Sequence, residues 1–184
     1  MKNQIIYLAG FMGAGKSTIG PILANTIGWN FFDLDQLIEK KHNKKVRDIF
    51  EQEGESSFRK YESETLLELS NQNNLVVALG GGTMASDDNL KVLKKTGTTI
   101  YLKANTESFY KRLRYKRDRP NLGVNESDDF SKEKLTNRID QLLAKRSQYY
   151  EQADIVIETD NYSVGKTVDK IVKLLGKMNI GVKK

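Results

Sequence analysis

The sequence predicts an α/β protein: three layers, α/β/α, around a central five-stranded parallel sheet. Three observations lead there. Five short apolar runs alternate with longer amphipathic ones, as strands alternate with crossover helices. The first run passes directly into a glycine-rich turn and then a helical pattern. No repeat, low-complexity tract or Pro/Gly-rich linker divides the 184 residues, so a single domain over 1–184 is expected.

The strand candidates are Ile5 to Ala9, Asn30 to Leu34, Leu75 to Leu79, Thr98 to Leu102 and Asp154 to Glu158. Helical stripes run through Phe58, Tyr61, Glu62, Thr65, Leu66 and Leu69, through Leu135, Ile139, Leu142, Arg146 and Tyr149, and through Val164, Val168, Ile171, Leu175 and Met178. Pro21 falls inside the helix that Lys16 should open, and a mild kink is expected there. In parallel sheets ligands sit at the carboxyl ends of the strands, so the informative residues should follow each strand.

Composition narrows the classes of function. No apolar run approaches membrane-spanning length, and Met1 to Ile5 is too polar for a signal peptide, so no membrane association is expected. There is no cysteine, which excludes a disulfide framework and thiolate metal sites; a cytoplasmic location is expected. The net charge of +6 fits a solvated basic surface, an anionic small ligand or a nucleic acid.

Gly10 to Ser17, GFMGAGKS, matches G-x-x-x-x-G-K-[ST], the loop whose backbone N–H groups cradle phosphates at a helix N-terminus. Lys16 would reach the transferred phosphate and the Ser17 hydroxyl would ligate Mg²⁺. Asp33 and Asp35 close the second strand. Strand alternation would send both toward the phosphate loop, to support the metal and position an acceptor hydroxyl; a helix N-cap would account for one of them. Gly80-Gly81-Gly82 stands where many phosphate-loop proteins carry an aspartate. It offers bare backbone to a small molecule, or else is a flexible turn.

In GESSFRKYE, residues 54–62, Gly54 ends one segment and Ser56 or Ser57 can cap the next helix. Arg59 would then sit in a first helical turn, where a cation is unfavourable unless an anion joins it. Glu62 can orient it; the alternative is an ordinary surface pair. The basic run through residues 110–119 is short and poor in stacking aromatics, which argues against a nucleic-acid arm and for a lid over about 114–129. His42 is expected to be solvated.

Together, GFMGAGKST, FFDLDQLIE, IFEQEGESSFRKYE, ALGGGT and Arg119-Pro120 resemble shikimate kinase, a family with the nucleoside-monophosphate-kinase-like P-loop NTPase fold, over nearly the whole chain. The resemblance implies transfer of the γ-phosphoryl of ATP to the 3-hydroxyl of shikimate, with Mg²⁺. It implies ATP contacts from Gly13, Ala14, Gly15, Lys16, Ser17, Thr18, Arg112 and the lid residue Arg119. It implies shikimate contacts from Asp35, Phe50, Phe58, Arg59, Gly81 and Gly82, with substrate-binding helices within about 34–73. Lys16, Asp35 and Arg119 would be catalytic, and Ser17 and, through water, Asp33 would serve the metal. The family's R-x-P-x-Y run corresponds to KRSQYYEQAD. It offers Arg146 and Tyr150, with Lys145 as a rival for Arg146, and Gln148 stands in place of the proline. The partners implied are ATP and shikimate, with no nucleic acid, and a monomer is expected. Two alternatives are another small-molecule kinase of this fold, such as a gluconate kinase, and a catalytically silent nucleotide- or nucleic-acid-binding module.

Overall fold

The computed structural model describes residues 4–114 and 132–181. Five strands, β1 (Ile5–Ala9), β2 (Asn30–Asp33), β3 (Leu75–Ala78), β4 (Thr98–Lys103) and β5 (Ile155–Glu158), pair in parallel in the order β2-β3-β1-β4-β5. Each agrees with its sequence prediction to within one residue at either end. The central strands β1 and β3 are buried along their whole length, which is why they read as unbroken apolar runs.

Seven helices are described: α1 (Lys16–Ile27), α2 (Leu34–His42), α3 (Val46–Ser70), α4 (Asp87–Thr96), α5 (Thr106–Leu113), α6 (Lys132–Tyr150) and α7 (Val164–Lys177). Successive residues of a strand face opposite sides, so β1 feeds two cores. Ile6 and Leu8 join Ile19, Leu23, Phe109, Ile139, Val168 and Ile171 on one face of the sheet. Ile5, Tyr7 and Ala9 join Leu34, Ile38, Ile49, Leu66 and Leu90 on the other. The second core packs α2, α3 and α4 on that face, against β1, β3 and β4. Helix α1 runs unbroken through Pro21, with Gly15 and Gly28 in the left-handed region at its two ends.

Two local expectations are corrected. Asp35 is not a strand residue: β2 stops at Asp33, which caps α2, and Asp35 lies in the first turn of that helix. Ser56 and Ser57 do not cap a new helix. The helix continues through them, broken only at Gly54 (φ 84°, ψ 168°), and the Ser57 hydroxyl donates to the Glu53 carbonyl at 2.9 Å. The proposed lid, Arg119 included, falls outside the described residues except for its first residue, Arg114, the C-cap of α5.

Candidate active site

A cavity of about 1400 Å³ opens over the carboxyl ends of β1, β2 and β3. At one end is the phosphate loop. Gly15 takes φ 98°, a conformation that strains any residue with a Cβ, and turns the chain into α1 so that the helix N-terminus faces the cavity. Lys16 Nζ folds back to donate to the carbonyls of Gly10 (2.7 Å) and Phe11 (3.1 Å). Ser17 Oγ donates to Asp33 Oδ2 at 2.7 Å. Asp33 Oδ1 meanwhile accepts from the backbone N–H of Asp35 (3.1 Å) and Gln36 (3.3 Å). One carboxylate thus caps α2 and also bonds the phosphate-loop serine. Arg112, from α5, donates to the Gly13 carbonyl at 3.2 Å and lines the same end of the cavity, as does Thr18.

The other end is built by α2, α3 and the Gly80–Gly82 turn. Asp35, Phe50, Phe58, Arg59, Gly81, Gly82 and Arg146 all line it. The Phe50 and Phe58 rings pack at 4.7 Å, and the Arg59 guanidinium lies 5.3 Å from the centre of the Phe58 ring. Arg59 donates to Glu62 Oε2 at 2.8 Å and to Glu55 Oε1 at 3.0 and 3.2 Å. The Arg59–Glu62 pair is not a surface pair, because the Glu62 side chain is only 1% exposed. Glu62 Oε1 accepts in turn from Thr83 Oγ1 at 2.6 Å. Burial is the largest single influence and would lower the Arg59 pKa, but the Glu62 and Glu55 carboxylates together outweigh it and the value is raised. The guanidinium is a fixed cation, and because the helix runs on through Ser56 and Ser57 it does not stand in the first turn where the dipole cost was expected.

The glycine turn is tight for a different reason from the one the sequence suggests. A Cβ on Gly80 would stand 2.7 Å from Glu62 Oε1 and 2.8 Å from Asp35 Oδ1, and one on Gly82 would stand 2.7 Å from the Arg59 guanidinium. These glycines admit the chain's own charged side chains against the backbone. Gly81 is the exception: its nearest neighbour would be Arg146 Nη1 at an ordinary 3.5 Å.

Arg146 lies on the apolar stripe of α6, and its Nη1 is buried without a hydrogen-bond partner among the described residues. Lys145 is exposed and does not line the cavity, so the geometry selects Arg146 as the second cation at this end. Two further residues support the site: Thr83, which sequence reasoning did not single out, and Tyr150, the tyrosine that the R-x-P-x-Y correspondence offered. Thr83 locks Glu62, and Tyr150 donates its hydroxyl to the Gly81 carbonyl. Burial pushes the Tyr150 pKa up to about 12, against a smaller lowering by Arg146, so it remains a donor at neutral pH. The apolar-stripe spacing that carries Arg146 and Tyr149 was the available signal for α6; nothing local marks Thr83.

The arrangement is a cavity with a phosphate-binding loop at one end and two arginines with one aspartate at the other. Residues 12–176 match the family described as shikimate kinase. A shikimate kinase of Chlorobium phaeobacteroides is 42% identical over 175 residues, covering 95% of this chain and 92% of the relative. The chain belongs to the shikimate kinase family. Among solved structures, a shikimate kinase from Acinetobacter baumannii in complex with shikimate superposes with a TM-score of 0.88 at 35% identity, covering 97% of this chain and 96% of that one. A shikimate kinase from Bacteroides thetaiotaomicron gives 0.84 at 33% identity, covering 94% and 98%. Membership in the shikimate kinase family accounts for the order of the motifs and for a P-loop followed by a GGG turn.

Among the described residues no helix is long and apolar enough to cross a membrane, and no group of three or more His, Cys, Asp or Glu side chains could cage a metal ion. The oxygen donors at the phosphate loop are instead a hydroxyl and one carboxylate, Ser17 and Asp33. That set fits Mg²⁺, which keeps several waters and relies on substrate phosphates.

Proposed function

We propose that this chain transfers the γ-phosphoryl of ATP to the 3-hydroxyl of shikimate, giving shikimate 3-phosphate and ADP. The observation that carries the reading is the acceptor end of the cavity, where Arg59 lies against Gly82 and the buried Arg146 Nη1 lies beside Gly81. Two guanidinium groups there suit a small molecule bearing a carboxylate. The Acinetobacter relative, which covers nearly all of the chain, binds shikimate.

In this reading the loop from Gly13 to Thr18 holds the triphosphate, with Lys16 leaving the loop carbonyls to neutralise the transferring group. Ser17 and, through water, Asp33 would hold Mg²⁺, which supplies charge neutralisation on the phosphates. Asp35 accepts a hydrogen bond from the attacking hydroxyl, Phe50 and Phe58 give the acceptor an apolar wall, and Arg112 faces the nucleotide. Helices α2 and α3 form the acceptor-binding element, and Arg119 is assigned to the nucleotide from the family resemblance alone. The reading takes a monomer as the active unit, since the residues it names all lie on one chain, and its use of ATP fits the cytoplasm.

The test is ADP release with shikimate, with gluconate and with no acceptor. Release should require shikimate. Equal release without an acceptor would leave a nucleotide hydrolase, and preference for gluconate would reassign the acceptor.

The two aspartates should separate by their readouts. Asp33→Asn keeps an oxygen to cap α2 but removes the charge beside Ser17, so it should raise the magnesium requirement most. Asp35→Asn should raise the shikimate KM and lower kcat with the magnesium requirement little changed. Magnesium and shikimate titrations of both variants check this, and the opposite pattern would exchange the roles.

A further inference from the structure

Helix α3 is bent inside the acceptor site, and the bend is not held where it occurs. Gly54 leaves the helical region, and a Cβ built on it would meet nothing within 4 Å. A glycine in open space can adopt other conformations at little cost, so its neighbours must set the angle. Phe50 precedes the bend, whereas Phe58 and Arg59 follow it, and all three line the acceptor end of the cavity. A change of angle at Gly54 would move one aromatic wall relative to the other and to the guanidinium.

The residue immediately before the bend is tied on three sides. Glu53 Oε1 accepts from Lys44 Nζ at 2.6 Å, from the segment that joins α2 to α3. Glu53 Oε2 accepts from the Tyr61 hydroxyl at 2.8 Å, from beyond the bend. Its carbonyl accepts from Ser57 Oγ at 2.9 Å, also from beyond the bend. The Tyr61 ring stacks on His42, the last residue of α2, at 3.7 Å. The tie therefore spans both halves of α3 and the end of the helix whose first turn carries Asp35. Glu53 is one-quarter exposed, and a lone pair there would add little; one carboxylate holding two donors from separate segments is a small network. The Lys44 ammonium, and then the Tyr61 hydroxyl, hold the Glu53 carboxyl below its ordinary pKa, so the tie persists at neutral pH.

We propose that Glu53, clamped between Lys44 and Tyr61, is a positioning residue for the acceptor: it fixes the bend at Gly54 and so sets Phe50 against Phe58 and Arg59. It touches neither substrate and acts through these three residues. The inference rests on the proposed function, because it needs shikimate in this cavity.

Steady-state kinetics of Glu53→Ala, Glu53→Gln and Tyr61→Phe test it. Glu53→Ala should raise the shikimate KM about three- to tenfold, the range that the loss of about one hydrogen bond gives. The ATP KM and kcat should stay within about twofold, because the phosphate loop lies on another element. Glu53→Gln still accepts one bond and should recover part of the loss. Tyr61→Phe keeps the ring on His42 and loses only the hydroxyl, so it carries the test if Glu53→Ala folds poorly. A shikimate KM equal to wild type in Tyr61→Phe and Glu53→Ala, or equal rises in both KM values, would overturn the clamp. A wild-type enzyme inert toward shikimate would overturn the functional reading and the clamp together, and that result is seen before any variant is made.

Discussion

Lys16→Ala should lower kcat by about two to three orders of magnitude, the loss typical of removing one preorganised group that stabilises charge in a transition state. The ammonium donates to the carbonyls of Gly10 and Phe11, 2.7 and 3.1 Å away. Those bonds hold it beside the loop, and a phosphate there offers a full negative charge in their place. The loop itself does not depend on the side chain. Its shape rests on the left-handed glycines and on the bond from the Ala14 N–H to the Phe11 carbonyl at 3.0 Å. The variant should therefore melt close to wild type, and its ATP KM should change less than its kcat, because the interaction strengthens as charge shifts onto the transferring group. Single-turnover and steady-state rates beside a thermal melt measure both. A folded variant with near-wild-type turnover would remove Lys16 from the chemistry.

The sheet was legible because its central strands β1 and β3, buried along their whole length, read as local apolar runs, and the shorter runs of the edge strands β2 and β5 fall in step with them. The phosphate loop was legible because its backbone demands glycine and its chemistry demands Lys-Ser in sequence. Other features depend on what lies across the fold. Asp35 was assigned to a strand because alternation with Asp33 is a two-residue rule, but the chain turns helical at Leu34 and the rule stops applying. The i,i+3 spacing of Arg59 and Glu62 is the same for a surface pair and a buried one. Only the approach of Thr83 and the Gly80–Gly82 turn makes it buried. Those glycines have no single local cause either, since the side chains they admit come from α2 and α3. Arg146, and not its rival Lys145, follows the Leu135–Ile139–Leu142 stripe, because adjacent helical residues point about 100° apart and only one of them can face inward.

Arg59→Ala should weaken shikimate binding by roughly one to several orders of magnitude. A guanidinium fork on a carboxylate makes two charge-assisted bonds of about 1.5–3 kcal/mol each, and about 1.4 kcal/mol is tenfold in affinity. The structure adds a second consequence. Arg59 already serves the buried Glu62, so its removal leaves that carboxylate with one donor fewer in a site that is 1% exposed. Some of the lost affinity would then reflect a rearranged Glu62, with Thr83 and the Gly80 turn moving alongside it. Arg59→Lys separates the two effects. Lysine can keep a positive charge near Glu62 but cannot present a planar fork, so it should restore the melting temperature more fully than it restores shikimate affinity. ATP affinity should change little in either variant, because Lys16 and the phosphate loop stand on β1 and α1 while Arg59 stands on α3. Calorimetric titration of wild type and both variants with each ligand, beside thermal melts, reads all three quantities. If Arg59→Ala and Arg59→Lys both bound shikimate as wild type does, Arg59 would be only the partner of Glu62, and Arg146 would be left as the cation that holds the acceptor.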